Sequence, residues 1–600
     1  MDRKYNMRSA DSVARSLRQT SVHPVDDLPS DNEEDKIICQ SHSASEEDEA
    51  CKKIVSSTGG DMNNTLDESA LKNEDELSPK RRRLDSAPEP QPAITPNKTD
   101  HNWSLKPRER LPPRPSPNVP YTPGPLGAAR EKQTPLEFWE LLFDPEILYD
   151  VVLHTNQEIS RYRLSTEIEM NLTNAHIYKD LTISELKASL GLLYFSGLQK
   201  TNNTNLEDLW SYEFGPTLYR ATMPLRRFKV ILSSLRFDDK STRDYRRETD
   251  KLAPIRDVWQ QFVSNCRKYY SPHSSCSIDA QLVPFGGRCP FRMSSPEKPN
   301  EYGMKIVMLN DSKTYYMHNA EPCTGNAIGK NSNETLSSYC VRKLSEPIHG
   351  TGRNLTCEDW LTSVETVQKM LREYSLTMIG TIRKGERGIP GDFKRPGGVG
   401  SSKFAFDDSK ILVSFTPERN KVMLLVSSLH ETAGINSDTG QPEVLTMYKE
   451  TKGGTKGFDQ FCREYTTARK THRWPMRLWY TMLDQAGVNA MILYNSNSAN
   501  RTLTRGDFLK ALFMGLIQPH LLTRLASPHL RRELRVSISK ILHMEEPENE
   551  PGSSKLDRQI RCSLCPRSKD KKVKTACSEC RRPACEEHRR ALCVDCVAHD

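Results

Sequence analysis

The sequence predicts a mixed α/β protein: a sheet with helices packed on it, a helical region before it and a small metal-held module after it. Three observations carry this reading. Short apolar, β-rich runs follow one another between about 266 and 385. Apolar residues recur at helical spacing from 134 to about 265, and again from Phe458 to about Leu542. Close to the C-terminus, Cys and His come in pairs two residues apart.

Residues 1–130 are expected to be a disordered acidic and Pro-rich tail. The 600 residues carry a net charge of +8, but 25–79 alone hold −12, which leaves +20 for the remainder. A basic body behind an acidic tail suggests an anionic partner, with nucleic acid first. Apolar residues make up only 36% and mean hydropathy is −0.68, as expected when part of the chain stays unfolded. No apolar run reaches the roughly 18 residues of a membrane span, and the N-terminus lacks a signal-peptide core, so a membrane or secreted protein is disfavoured. Within the tail, Lys80, Arg81, Arg82 and Arg83 follow Pro79, a cationic cluster that a nuclear import receptor can grip; it places the protein in the nucleus.

The helical region is 131–265. Thr134-Pro135 is a good helix start, Asp144-Pro145 a break, and Thr182 with Glu185 a capping box. Arg226, Arg227, Lys229, Arg236, Arg243, Arg246 and Arg247 make it basic, either as a solvated face or as a DNA patch. Strands are expected at 274–284, 304–310, 314–319, 354–360 and 377–382, with a helix at 363–374: the order β-β-β-β-α-β. Strands at 411–415 and 422–427 suggest a β-rich insertion over 386–450. Helices then fill 451–543, and a Glu/Pro/Ser linker at 544–557 leads to a Cys-rich module, 558–600.

Seven of the 16 cysteines fall in that module, a pattern of metal binding in a reducing compartment. The string is Cys562-x2-Cys565, Cys577-x2-Cys580, Cys585-x2-His588 and Cys593-x2-Cys596. Eight ligands mean two structural Zn²⁺, which must supply much of the folding energy of so short a module. A cross-brace, resembling RING and PHD fingers, would join Cys562, Cys565, Cys585 and His588 at one ion and Cys577, Cys580, Cys593 and Cys596 at the other. Lys569, Lys571, Lys572, Lys574, Arg581 and Arg582 favour an anionic partner here too.

An ordered series of motifs resembles the piggyBac transposase family. It comprises Ser277-Ile278-Asp279-x-Gln281-Leu282, Gly287-Arg288-Cys289-Pro290-Phe291-Arg292, Lys298-Pro299-x3-Gly303-x-Lys305, Asn354-Leu355-Thr356-Cys357 before Trp360, Gly380-Thr381-Ile382-Arg383, Thr451-Lys452-Gly453-Gly454 before Asp459-Gln460, Arg469-Lys470-Thr471-x-Arg473-Trp474-Pro475-Met476, and the Cys-rich tail. The resemblance runs from about 134 to 596. It implies an RNase H-like core at 266–385 and 451–543, interrupted by the β-rich insertion, behind a helical dimerisation and DNA-binding domain. It also implies cut-and-paste transposition at TTAA sites, in which three aspartates hold two Mg²⁺ that stabilise the attacking and leaving oxygens.

Mapped onto this chain, the first aspartate is Asp279, followed by Ala280 where the family has Glu. The second falls on Glu358, with Asp359 next to it. The third falls on Lys456, an ammonium that repels Mg²⁺; Asp459, three residues on, is the carboxylate that could serve instead. The implied DNA-holding residues are Arg288, Arg292, Lys298, Lys305, Arg383, Arg387, Arg469, Lys470, Arg473 and Trp474. The expectation is therefore a domesticated, catalytically impaired nuclear protein that binds double-stranded DNA, as a homodimer, with Mg²⁺ relevant only to a working site. An active transposase using Asp279, Glu358 and Asp459, and a chromatin adaptor acting through the zinc module on chromatin proteins, are the alternatives.

Overall fold

The computed structural model describes residues 103–107, 122–166, 177–294, 302–325, 330–331, 334–497, 500–528, 530–544, 555–577, 582–590 and 592–593. Lys80, Arg81, Arg82, Arg83, Lys298, Cys580 and Cys596, and the side chain of Cys593, lie outside them.

The helical part starts where its caps say it should. Helix α1 (Pro135–Leu142) opens with a reciprocal capping box: Glu137 N–H reaches the Thr134 hydroxyl at 3.3 Å, and Thr134 N–H reaches the Glu137 carboxylate at 2.9 Å. Pro145 cannot continue a helix and opens the next, α2 (Pro145–Thr166), where Asp144 accepts Ile147 N–H at 2.9 Å. Helix α3 (Ile183–Leu198) is apolar nearly all round because it is covered on all sides. Helices α4 (Leu225–Ser234) and α5 (Arg256–Lys268) complete this part. Phe138, Leu190, Phe262, Trp479 and Leu512 belong to one core, so helices from both ends of the family-like region fold together.

The basic residues of this part are mostly spent internally. Arg227 pairs with Glu185 and Arg236 with Glu158, each at 2.7 Å and with both side chains buried. Arg243 and Arg246 both grip Asp238 at 2.6 Å. Two of the cations read as a surface face are therefore interior cross-links, which spacing alone does not reveal.

The sheet follows. Strands β1 (Ser275–Pro284), β2 (Tyr302–Asp311), β3 (Met317–Pro322), β4 (Asn354–Cys357) and β5 (Thr377–Thr381) lie in the order β3-β2-β1-β4-β5. Strand β2 runs antiparallel to β1 and β3, while β1, β4 and β5 are mutually parallel. Helix α6 (Leu336–Ser345) precedes β4 and helix α7 (Val364–Tyr374) precedes β5. The sequence reading lacked α6, so the order is β-β-β-α-β-α-β. Beyond β5 come β6 (Ser402–Phe406), β7 (Ile411–Phe415) and β8 (Met423–Ser427). Strand β8 pairs antiparallel with β5, and β7 and β6 follow outward. The β-rich segment thus extends the main sheet, to nine strands among the described residues with the short Met293–Ser294 strand counted.

Alternation sorts the strands' side chains. Cys276 and Ile278 join Val341 of α6 and Val367 of α7 on one face. Ser277 and Gln281 point to the other, where α8 (Glu443–Thr451), α9 (Gly454–Glu464) and α10 (Trp474–Ser496) pack, followed by α11 (Arg505–Leu525) and α12 (Arg532–Ile541). A glycine at 454 lets α9 come close: a Cβ there would lie 2.3 Å from the Ser277 hydroxyl oxygen. Among the described residues, no helix is long and apolar enough to cross a membrane.

One carboxylate ties the two helices of the first face together. Glu334, just before α6, accepts two hydrogen bonds from Arg342 (2.9 and 2.8 Å) and one from Lys369 of α7 (3.2 Å). These bonds, Arg342 first, pull its carboxyl from 4.5 down to about 2. A depressed carboxyl stabilises the fold fully above its unfolded value and loses that contribution as pH falls through the folded one. Urea-unfolding midpoints of Glu334→Gln should therefore lie below the unmodified chain at pH 6, with the gap closing from pH ~4.5 towards ~2; a gap independent of pH would show that the ion pair is not its source.

Candidate functional site

Parallel pairing of β1 and β4 brings the first two candidate carboxylates together. Ile278 is in register with Cys357, so Asp279 within β1 is matched by Glu358, the first residue past the end of β4, where the strand expected over 354–360 gives way to a turn. Asp279 is half-buried, and its Oδ1 accepts Ala280 N–H at 2.7 Å. Burial raises its carboxyl above the usual range, against the Ala280 N–H, the Lys305 ammonium, the Trp360 indole N–H and Lys452. Behind the pair sits Tyr448 of α8, only 5% exposed. Burial chiefly, and then the Glu358 and Asp279 carboxylates, push its hydroxyl upward. Tyr448 had no signal in the sequence, since it comes from a helix some ninety residues beyond β4.

The third position has a different chemistry. Lys456 is exposed on α9, on a stripe with Asp459 and Arg463 at spacings of three and four, while Lys452 caps the end of α8 just before it. Asp459 is already engaged: its Oδ1 accepts from Gln281 Nε2 at 2.7 Å and its Oδ2 pairs with Arg463 Nε at 2.8 Å. Gln281 in turn accepts from Gln485 of α10 at 2.9 Å. No three acidic, His or Cys ligand atoms converge here within 4.8 Å; among the described residues that happens only in the C-terminal module. Two carboxylates beside lysines are not the three-carboxylate donor set for which the implied Mg²⁺ pair calls.

The basic candidates divide into two groups. Arg288, Arg387 and Lys470 are exposed. Arg292 is exposed too, lying 4.9 Å over the Tyr302 ring and donating to the carbonyls of Gly286 and Gly287. Lys305 sits 3.8 Å over the Trp360 ring, and Arg383 lies 3.6 Å from Asp359. The other group faces inward. Arg469 donates to Thr204 C=O at 2.5 Å, and Arg473 to the carbonyls of Ser233 and Leu235 (3.0 and 2.5 Å) at the end of α4. Trp474 is 7% exposed and meets Phe291 edge-on at 5.0 Å. The run from Arg469 to Trp474, read in sequence as a phosphate- and base-contacting cluster, thus holds the helical part to the core through Arg469, Arg473 and Trp474; Lys470 alone of the four turns outward.

The C-terminal module brings Cys562, Cys565, Cys585 and His588 together, the first of the two ligand sets that the cross-brace implied. Cys565 Sγ lies 3.8 Å from Cys585 Sγ, and His588 Nδ1 lies 3.8, 3.5 and 3.1 Å from the sulfurs of Cys562, Cys565 and Cys585. Two sulfurs each ~2.3 Å from a shared tetrahedral ion stand about 3.8 Å apart, so the spacing and the soft donors fit Zn²⁺. Strands β9 (Lys555–Arg561) and β10 (Lys572–Thr575) hold the first pair of thiols, and Cys585 N–H donates to Cys562 Sγ at 3.4 Å. Against burial, that N–H and those of Leu564 and Cys565 bring the Cys562 thiol down to about 6, the anionic form that a metal takes. Cys577, of the second set, is buried; Cys580, Cys596 and the side chain of Cys593 lie outside the described residues.

A mixed sheet in the order β3-β2-β1-β4-β5, with helices on both faces, brings the carboxylates of β1 and of the residue after β4 side by side. A family model described as Transposase IS4 matches residues 134–491. The solved structure of a piggyBac transposase synaptic complex with hairpin DNA matches with a TM-score of 0.66 at 36% identity, covering 79% of this chain and 100% of that one. The chain belongs to the piggyBac family of transposases. Human PiggyBac transposable element-derived protein 3 is 23% identical over 363 residues, 57% of this chain and 58% of that protein. The human Chimeric ERCC6-PGBD3 protein is 23% identical over the same length, 32% of its own. The chain therefore spans little more than half of the first of these relatives and about a third of the second.

Proposed function

We propose that this protein is a piggyBac-derived nuclear DNA-binding protein that binds duplex DNA without cutting it. The observation that carries the reading is the third ligand position. An exposed Lys456 ammonium stands where the resemblance implied a carboxylate, and Asp459, the one substitute nearby, is tied to Arg463 and Gln281. The active reading at TTAA sites needs Asp459 to release both partners and Glu358 to reach a metal with one methylene more than an aspartate. The residues present do not make the donor set that a Mg²⁺-dependent step requires. Binding DNA asks less: exposed cations at Arg288, Arg292, Arg387 and Lys470, with Lys305 and Arg383 nearer the carboxylates, suit phosphates. The relative of solved structure, captured with hairpin DNA, supports the same ligand class. Homodimerisation, chromatin partners and nuclear import through Lys80 to Arg83 belong to this proposal.

Binding to a duplex oligonucleotide, measured from low to high salt, tests it. Measured without divalent ions, the log–log slope should be steep, with each phosphate contact adding about 0.9, and binding should not require Mg²⁺. Arg288→Gln with Arg387→Gln should lower the slope by about 2 and leave the melting temperature alone. Arg473→Ala should do the reverse, destabilising the fold by roughly 1–3 kcal/mol through the stranded α4 carbonyls without changing the slope. Binding insensitive to salt would overturn the reading in favour of a protein partner.

A further inference from the structure

Residues 103–107 lie against the last strand of the sheet, far in sequence from anything they touch. Ser104 and Phe406 of β6 exchange both backbone hydrogen bonds, each 2.8 Å, so the short segment adds to an open sheet edge. Trp103 packs half-buried against the core that β4, β5, β7 and α7 share. Its indole N–H donates to Gly388 C=O at 2.7 Å.

Gly388 is buried, has φ of +80°, and ends the run Arg383-Lys384-Gly385-Glu386-Arg387-Gly388. The other end of this run is held as well. Ile382 N–H bonds to Leu424 C=O of β8 at 2.9 Å, and Arg383 faces Asp359 in the turn between Glu358 and Trp360. Between these two anchors, Lys384 and Arg387 stand exposed, with Gly385 giving the backbone freedom. A loop with two glycines and two outward cations loses conformational freedom when it docks on phosphates, unless something has already fixed its ends. The indole bond fixes the second end.

We propose that Trp103 is a positioning residue: by pinning Gly388 it pre-orders the 383–388 loop so that Lys384 and Arg387 meet DNA phosphates together. This rests on the DNA-binding reading above. It gives the N-terminal segment a part in DNA contact although Trp103 itself touches no nucleic acid. The indole bond spans 285 residues of sequence, and the neighbouring Ser104 bridge ties the same segment to β6, the edge strand of the sheet.

The test uses the full chain and one duplex oligonucleotide. Backbone hydrogen exchange over 384–389, read without DNA, should accelerate in both Trp103→Ala and Trp103→Phe, since Phe keeps a ring in the core but has no N–H. The Phe variant should lower the melting temperature clearly less than the Ala variant while loosening the loop equally, which separates the pin from general stability. Both should bind DNA about tenfold more weakly at low salt, with the log–log slope reduced by about 1–2. In a Lys384→Gln/Arg387→Gln background, Trp103→Phe should change neither affinity nor slope further. Unchanged exchange in Trp103→Phe would overturn the pin. A loosened loop with unchanged DNA binding, or an equal loss in the double-Gln background, would overturn its role in DNA contact. Failure of the unmodified chain to bind DNA would instead overturn the functional reading, and the DNA-free exchange data would still report on the pin.

Discussion

Removing metal should unfold the C-terminal module while the body stays folded. The module's small cluster of Cys562, Cys565 and Cys585, with Leu564 and Val573 against it, contains too little apolar area to offset the chain entropy of its residues. Metal binding by such thiol and imidazole sets is worth on the order of 10–16 kcal/mol near neutral pH, several times what the apolar contacts supply. A strong zinc chelator should therefore abolish exchange protection at Cys562 N–H and Cys585 N–H, which bond to Lys571 C=O and Cys562 Sγ. Protection in α3 and α10 should be untouched. Cys565→Ser should have the same effect without chelator, as it removes one of four converging ligands. Elemental analysis should return two zinc ions per chain, one for the set described here and one for Cys577, Cys580, Cys593 and Cys596. A module that remains folded after complete demetallation would contradict the assignment.

Arg227→Ala should be among the most destabilising single changes in the helical part. Arg227 donates to both oxygens of Glu185 (2.9 and 2.7 Å) and to the carbonyls of Ile177 and Lys179 (2.7 and 2.8 Å). Burial opposes ionisation of Glu185, but Arg227 outweighs it and keeps the carboxyl below its ordinary value. Taking away the cation strands a buried carboxylate, which costs roughly 3–5 kcal/mol. The sign with pH then reverses. With the more distant Lys179 ammonium (3.8 Å) left as the ion-pair partner, burial raises the Glu185 carboxyl in the variant, so its deficit should shrink on acidification as the group takes up a proton. Replacing both partners, Arg227→Met with Glu185→Leu, should recover most of the loss, because the penalty lies in the unpaired charge. A loss below about 1 kcal/mol for Arg227→Ala, by urea unfolding, would mean that the pair is not the tie it looks to be.

Local signals in the sequence mark what local physics determines. The starts of α1, α2 and α3 follow from Thr134, Pro145 and Thr182, because a cap or a missing N–H acts within one turn. The first Cys/His ligand set follows from spacing, because two residues between ligands bring two donors to one ion. Helix α6 carries a local signal too: Thr335 caps it, with Ser338 N–H on its hydroxyl, and Leu336, Tyr339 and Leu344 follow on one face. Strand β6 was hidden because Ser402, Lys403 and Phe404 show no clean alternation; pairing with β7 makes it a strand. The fate of the arginines was not legible at all. Arg473 and Arg387 look alike in sequence. One meets carbonyls roughly 240 residues away and the other meets solvent, and only the tertiary fold distinguishes them. Trp103 is the same lesson in reverse: within a stretch expected to be unfolded, one indole and one backbone bridge find a partner nearly three hundred residues on.

The candidate catalytic centre was legible residue by residue through the resemblance, but its state depends on contacts. Asp279 and Glu358 do adjoin, as parallel β1 and β4 require. What sequence could not give is that Asp459 spends both oxygens on Gln281 and Arg463, or that Lys305, Lys452 and the Trp360 indole already surround Asp279. These contacts neutralise in advance the charge that a divalent ion would need.

Strand cleavage is the most direct measurement of the central claim. The purified full chain, kept free of chelator, is incubated with Mg²⁺ or Mn²⁺ and a duplex whose ends carry TTAA flanks, and nicked, hairpin and joined products are resolved on a denaturing gel. The expected result is bound but uncut DNA from the unmodified chain, with Glu358→Asp/Lys456→Asp as the variant in which some metal-dependent nicking appears. Robust cleavage by the unmodified chain, lost in Asp279→Ala and in Asp459→Ala, would contradict the account and make Asp459 the working third ligand.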